Sequence, residues 1–253
     1  MTLDNLIPPR GMTPGDLVRL GAEFALGVEP IDTAPQVLET PIYTGRLLAH
    51  EVQPGLVLSA SDVTYVCEQS FSVEMEPTLV CGIMLSGTVV HSDVADYGLF
   101  TRHPHQINLM GSDRPIRYRT LLERGRHFRT AGFMLRPSFF ERFGDDVDDD
   151  GIAALRDLMT GGFRTAAIAL SPRIGEIARL CLEHPYGGHL GRLFLESNAL
   201  SYVIEVAQAL KDERRLVALI GRREYDRVMH AREILDGDLV DTPPTLELAR
   251  RVG

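Results

Sequence analysis

The feature that most constrains this chain is a change in its hydrophobic period near residue 136. Between Pro41 and Leu135 apolar residues fall at every second position in short runs, as where Phe71, Val73 and Met75 alternate with polar residues. That period is typical of strands with one buried face. After residue 136 apolar residues recur three or four positions apart, which is the helical period. The chain is therefore predicted to be α+β, with a β domain followed by helices.

The β domain is predicted to span residues 41–135. Its apolar runs are separated by turn-forming pairs such as Pro54-Gly55 and Ser86-Gly87. About eight strands fit between these breaks. Short strands at this spacing favour a β-sandwich or jelly-roll of the cupin-like kind.

Residues 1–40 precede the β domain and are rich in proline and glycine. We expect an arm with one short helix over Thr13 to Leu26, where Pro14 suits the first helical turn. A disordered leader is the alternative.

Residues 136–220 are predicted to form a helical connector. Ser138 and Glu141 have capping-box spacing, and the acidic run at 145–150 reads as a solvated linker. The longest helix is predicted from about Leu190 to Leu210, with an apolar stripe wider than one packing seam needs. Its candidate dimer contacts are Leu193, Leu200 and Ile204. The alternative is a helix packed only within its own chain.

Residues 221–253 read as two helices separated by Pro243 and Pro244, with Thr245 as the expected N-cap of the second helix. Two helices and a turn-forming glycine are the start of a helix-turn-helix.

The phrases AREIL (231–235) and PPTLELARRVG (243–253) resemble the start of the DNA-binding domain of the AraC/XylS family of bacterial transcription regulators. RPSFFERFG (136–144) and YGGHLGRLFLESNAL (186–200) are similar to connector segments of its pyochelin-regulator-like subgroup.

This resemblance implies a cupin-like domain that binds a small-molecule effector, a homodimer formed by connector helices, and a cytoplasmic protein. The N-terminal arm would fold over the effector. A full-length form would bind promoter DNA. Residues 221–253 cover only part of the first helix-turn-helix, so the sequence is expected to be cut off there, and Thr245, Arg250 and Arg251 would contact DNA only in a completed domain.

Charge argues against DNA binding by this chain alone. Its formal net charge is −9, and residues 222–253 hold six arginines against seven acidic residues, whereas duplex affinity comes largely from cations placed against phosphates. No secretory signal or long apolar run predicts export or a membrane partner. The three cysteines are widely spaced, which argues against a disulfide framework or zinc knuckle.

Three histidines, His91, His103 and His105, carry the sole metal-like pattern in the sequence. The cupin metal motif is broken here, because Asn108 and Leu109 stand near the place of its glutamate, so no metal and no cofactor are expected. No nucleophile elbow, phosphate loop or dinucleotide fingerprint is present, so no catalytic residue is assigned and an enzyme is not expected. A cupin-like metalloenzyme or a stand-alone small-molecule-binding protein are the alternatives.

The candidate ligand contacts are polar residues on the predicted strands that could reach a barrel interior and hold an anionic or aromatic effector. They are Tyr65, His91, His105, Arg117 and Tyr118. Strand residues of this kind also commonly face solvent, and that alternative stays open for each of them.

Overall fold

The computed structural model describes residues 11–31, 38–144, 151–237 and 243–253. Residues 1–10 and 32–37 of the predicted arm, and the predicted linker at 145–150, lie outside the described residues.

The described elements begin with helix α1, Pro14–Glu23. Ten strands follow: β1 Leu26–Ile31, β2 Tyr43–Gln53, β3 Leu56–Tyr65, β4 Gln69–Met75, β5 Thr78–Ser86, β6 Val90–Val94, β7 Gly98–Arg102, β8 Gln106–Ser112, β9 Ile116–Leu122 and β10 His127–Leu135. The second half comprises α2 Pro137–Glu141, α3 Gly151–Asp157, β11 Arg164–Ala169, α4 Pro172–Glu183, α5 Gly188–Ile220, α6 Arg222–Gly237 and α7 Thr245–Val252.

Two antiparallel sheets form the β domain. One has five strands in the order β1-β4-β9-β6-β7, and the other has six in the order β11-β8-β5-β10-β3-β2. The predicted α+β class, with a two-sheet β domain before the helices, is confirmed.

Two strands lie in segments that were not predicted to contain any. β1 follows α1 and pairs with β4, and β11 lies within the predicted helical connector and pairs with β8. Both strands are at sheet edges. Pro30 weakens the strand signal of β1, and β11 buries only Ile168, so neither segment shows a clear period of two.

Helices α4 and α5 pack on the outer face of the six-stranded sheet. Alternate strand residues such as Leu58, Cys81 and Leu109 point to this face and join one buried core with side chains of α4 and α5. Tyr202 of α5 anchors the contact: it is fully buried, its ring lies edge-on to Phe133 at 5.1 Å, and its hydroxyl donates to the Ala131 carbonyl at 3.2 Å.

Helix α5 is longer than predicted: it ends at Ile220, before Gly221, and not near Leu210. Helix α6 follows directly after Gly221. Gly221 has a φ of 83°, a conformation that glycine adopts without penalty. None of the helices in the described ranges is both long and apolar enough to cross a membrane.

The cap predictions for Ser138 and Thr245 were wrong. Arg136 is the N-cap of α2 and makes no side-chain cap, because Pro137 takes the first helical position and moves Ser138 inside the helix. Pro244, not Thr245, precedes α7. Helix α1 lies within the span Thr13 to Leu26 where a short helix was predicted, but it ends earlier, at Glu23.

Candidate ligand-binding site

A cavity of about 300 Å³ lies between the two sheets, beneath α1. Along each strand of the six-stranded sheet, residues alternate between this cavity and the helix-packed core. Val57 and Ser59 of β3 face the cavity, for example, while Leu58 and Ala60 join the helix-packed core. A pocket of this size is at the lower end of the range for small-molecule sites.

Most of the lining is apolar. It includes side chains of α1, both sheets and the strand connections: Leu17, Leu20, Phe24, Leu26, Val28, Leu47, Ala49, Val57, Met75, Val80, Phe100, Met110, Phe133 and Met134. Gly82 also lines the cavity, and the space beside it is open, because a Cβ built on it would meet no atom within 4 Å.

Polar groups converge from four strands that are consecutive in the chain. Ser92 of β6, Arg102 of β7, Asn108 of β8 and Tyr118 of β9 all line the cavity. Burial raises the pKa of the Tyr118 hydroxyl, and the positive charge of Arg102 acts in the opposite direction. The tyrosine therefore faces the cavity as a neutral hydroxyl that can donate a hydrogen bond.

Two of these polar groups have atoms without a partner. Asn108 is 4% exposed, and its amide nitrogen donates to the carbonyls of His103 and Gln106 at 3.3 and 3.1 Å. Its Oδ1 and the Nε of Arg102 are buried and make no hydrogen bond in the structure. Unpaired buried polar atoms are costly, and they are common where a ligand completes the bonding.

Helix α1 closes one side of the cavity. Thr13 and Asp16 form a capping box in which the Thr13 hydroxyl accepts from the Asp16 amide at 3.1 Å, and the Asp16 carboxylate accepts from the Thr13 amide at 3.0 Å. The chain before α1 is tied to β2 by a bridge between Met12 and Tyr43. At the other end, the Arg136 guanidinium donates to the Phe24 carbonyl at 2.8 Å.

Of the five predicted ligand residues, one lines the cavity and four do not. Tyr118 lines the cavity. Tyr65 packs beside it in the core between the sheets, with its ring 6.0 Å from that of Tyr43 and 5.4 Å from that of Phe128. Arg117, the residue next to Tyr118, points outward and donates to Glu74 at 2.5 Å.

The two predicted histidines lie away from the cavity. His91 is exposed and its ring bonds to the Thr101 hydroxyl at 3.0 Å. His105 lies in the turn before β8 with a φ of 60° and is exposed. Within the ranges that the structure describes, no group of three or more His, Cys, Asp or Glu side chains is arranged to hold a metal ion.

Arg102 and Asn108 are cavity residues that sequence reasoning did not select. Asn108 was considered only as a departure from a metal motif. Alternation on β8 between Ile107, Asn108 and Leu109 shows that Asn108 faces away from its two apolar neighbours, a signal that the sequence does contain.

The predicted dimer and DNA residues lie outside the β domain. On α5, Leu193 and Ile204 are 63% and 64% exposed, while Leu200 is half-buried against the core. On α7, Thr245 and Arg250 are exposed, and Arg251 pairs with Glu247.

Residues 44–219 match the family of the regulatory protein PchR N-terminal domain. A search of curated proteins found no match. Among solved structures, the AraC-like transcriptional activator CuxR aligns with 100% of this chain and 84% of its own at 13% identity and a TM-score of 0.46. ToxT K231A from Vibrio cholerae covers 80% and 72% of the two chains at 6% identity and a TM-score of 0.38. The Schizosaccharomyces pombe Cnp3 cupin domain covers 38% and 74% at 11% identity and a TM-score of 0.22.

Proposed function

Because the chain belongs to the family of the PchR N-terminal domain, and so to the AraC-like regulators, we propose that the cavity between its two sheets is the site of its effector-binding region. The observation that carries this is the convergence of Ser92, Arg102, Asn108 and Tyr118 on a mainly apolar cavity that α1 covers on one side. Small-molecule sites have this composition, with a few placed polar groups in an apolar enclosure. Family membership favours the regulator over a metalloenzyme.

Retention of a small molecule tests the site. The protein is purified from its native host cells and then denatured. The molecules that it releases are identified by mass spectrometry. A cavity-filling variant, Gly82→Leu, is treated in parallel, since its side chain would occupy the open space at Gly82. A molecule that is retained by the wild type and lost from Gly82→Leu supports the proposal. A molecule that both proteins retain equally contradicts it.

Dimerisation is proposed through the exposed face of α5, with Leu193, Leu200 and Ile204 as contacts. Positions 193, 200 and 204 share one face at helical spacing. We expect Ile204→Asp to lower the dimer fraction in sedimentation velocity, because a charge would be buried in the interface. Leu216→Asp is the matched control, since Leu216 is also exposed on α5 but lies about 120° around the helix from Ile204. Equal effects of the two changes would contradict this interface.

Promoter binding is proposed for a full-length form in which a recognition helix follows α6 and α7. In that form Thr245, Arg250 and Arg251 would lie at the DNA side of the helix-turn-helix, and the protein would act in the cytoplasm. Fluorescence anisotropy with labelled duplex DNA tests whether residues 1–253 bind DNA on their own. We expect the 253-residue chain to bind DNA weakly, since residues 222–253 hold six arginines against seven acidic residues. Sequence-specific binding by this chain at low nanomolar concentration would contradict it.

A further inference from the structure

Arg102 gives the cavity a charge that nothing in its wall neutralises. It ends the edge strand β7 and is the sole charged residue among those that line the cavity in the described part of the chain. Two arginines on neighbouring strands do have carboxylate partners: Arg117 pairs with Glu74, and Arg129 pairs with Asp62. The Nε of Arg102 is buried and has no hydrogen-bond partner. In a protein of net charge −9 this places one positive group in the wall of a mainly apolar cavity.

A guanidinium in the wall of a mainly apolar cavity favours an anion. Its attraction for a carboxylate or sulfonate grows as water is excluded, and hydrogen bonds to ionised groups are the stronger class. Ser92 and Tyr118 line the same cavity, and their hydroxyls can also donate to an anion. Three kinds of donor are therefore available, and no carboxylate of the lining would repel the ligand.

Asn108 adds a second requirement. Both hydrogen bonds of its amide nitrogen go to backbone carbonyls, which fixes the side chain and identifies Oδ1 as the atom left over. A buried amide oxygen accepts hydrogen bonds and cannot donate them. The ligand atom that meets it must therefore be a donor, such as an N–H or O–H group.

The rest of the wall and the volume define the body of the ligand. The lining from α1, β1, β2 and β5 is aliphatic or aromatic, and a volume of about 300 Å³ corresponds to roughly ten water molecules. Such a space holds one compact apolar body such as a pair of fused rings with a substituent. A strongly polar ligand such as a sugar would leave its hydroxyl groups without partners here.

We propose that the effector is a compact, mainly apolar molecule that carries one anionic group, bound by Arg102, and one hydrogen-bond donor, bound by Asn108 Oδ1. This rests on the proposed function, because it takes the cavity as the effector site.

The test uses two fluorescent probes with one skeleton. 8-Anilino-1-naphthalenesulfonate has a sulfonate beside an N–H donor on an aromatic body, and N-phenyl-1-naphthylamine has the same body and donor without the anion. Both are titrated into wild type and into Arg102→Gln, Arg102→Lys, Arg119→Gln and Gly82→Leu. Arg119 is the matched control, since it lies exposed on β9 and its loss changes the net charge equally.

We expect Arg102→Gln to weaken the sulfonate about ten- to a hundredfold, the range for a lost hydrogen bond to an ionised group. The neutral probe should change by less than about threefold, within the spread of a neutral contact. Arg102→Lys should keep most of the preference for the anion, and Arg119→Gln should affect neither probe. Gly82→Leu should weaken both probes.

The two proposals fail in different ways. If Gly82→Leu weakens both probes but Arg102→Gln weakens them equally or not at all, the cavity stands as a site and the anion preference is wrong. An equal loss of the sulfonate in Arg119→Gln also contradicts the role of Arg102. If neither probe binds, or if Gly82→Leu changes neither, the cavity is not the binding site and both proposals are wrong.

Discussion

Two glycines that face each other across neighbouring strands should respond in opposite ways to the same substitution. Gly82 of β5 pairs directly with Gly132 of β10. A Cβ on Gly82 would meet nothing within 4 Å, whereas a Cβ on Gly132 would lie 2.2 Å from the Cys81 carbonyl oxygen. Neither glycine has a positive φ, so backbone strain does not distinguish them. The difference is therefore one of space.

The magnitudes follow from these contacts. In Gly82→Ala, removing glycine from a strand interior stabilises by about 0.5–1 kcal/mol, and the added methyl group meets no atom that would oppose it. We expect Gly82→Ala to raise the free energy of unfolding by about 0.5–1 kcal/mol. Gly132→Ala should lower it by about 1–3 kcal/mol, since the methyl group forces the strands apart.

Urea unfolding followed by far-UV circular dichroism measures both variants, and this signal suits a chain without tryptophan. The midpoint should rise in Gly82→Ala and fall in Gly132→Ala at a similar slope. A midpoint that falls by the same amount in both variants would show that no open space adjoins Gly82, and the reasoning about the cavity would be refuted.

Three further predictions concern helices α1 and α5. Thr13→Ala should destabilise α1 by about 1 kcal/mol through loss of its N-cap and increase hydrogen exchange in that helix; unchanged exchange would contradict its role. Tyr202→Phe should cost about 0.5–1.5 kcal/mol in urea unfolding, because it removes one buried hydrogen bond, and a neutral result would contradict that bond. Burial raises the pKa of Glu213 despite the nearby Arg222 and the hydroxyl of Tyr225. The folded chain therefore holds the Glu213 proton more tightly than the unfolded chain, and stability falls as pH rises above about 4.5, the ordinary pKa of the group. Glu213→Gln should reduce this fall, as measured by urea midpoints from pH 4 to 7. A fall of equal size in the variant would contradict the prediction.

The β domain could be predicted because its signal is local. Phe71, Val73 and Met75 show on their own which face of β4 is buried, and the structure places them in the core between the sheets. The signal is weak where strands lie at an edge. β11 buries one side chain, and its membership of the sheet depends on pairing with β8, which is distant in sequence.

The candidate site was harder to predict because strand alternation gives two faces but does not say which one is the interior. Arg117 and Tyr118 were both selected as ligand contacts, although neighbours on a strand point to opposite sides. The structure places Tyr118 in the cavity and Arg117 outside against Glu74. Arg102 ends a strand of five residues with no clear alternation, and its place in the cavity depends on how the two sheets face each other.

The six-stranded sheet is the element that joins the cavity to the connector. Asn108 lies on its inner face with an atom free for a ligand, and Leu109, the next residue, lies on its outer face in the core shared with α5. Tyr202 of α5 bonds to the backbone of β10 in the same sheet. A ligand can change how α5 presents the segments after it only if it binds one arrangement of sheet and helices more tightly than another. A ligand that contacts Asn108 would meet this requirement if β8 took different positions in the two arrangements, because a shift of β8 also moves Leu109 in the core shared with α5.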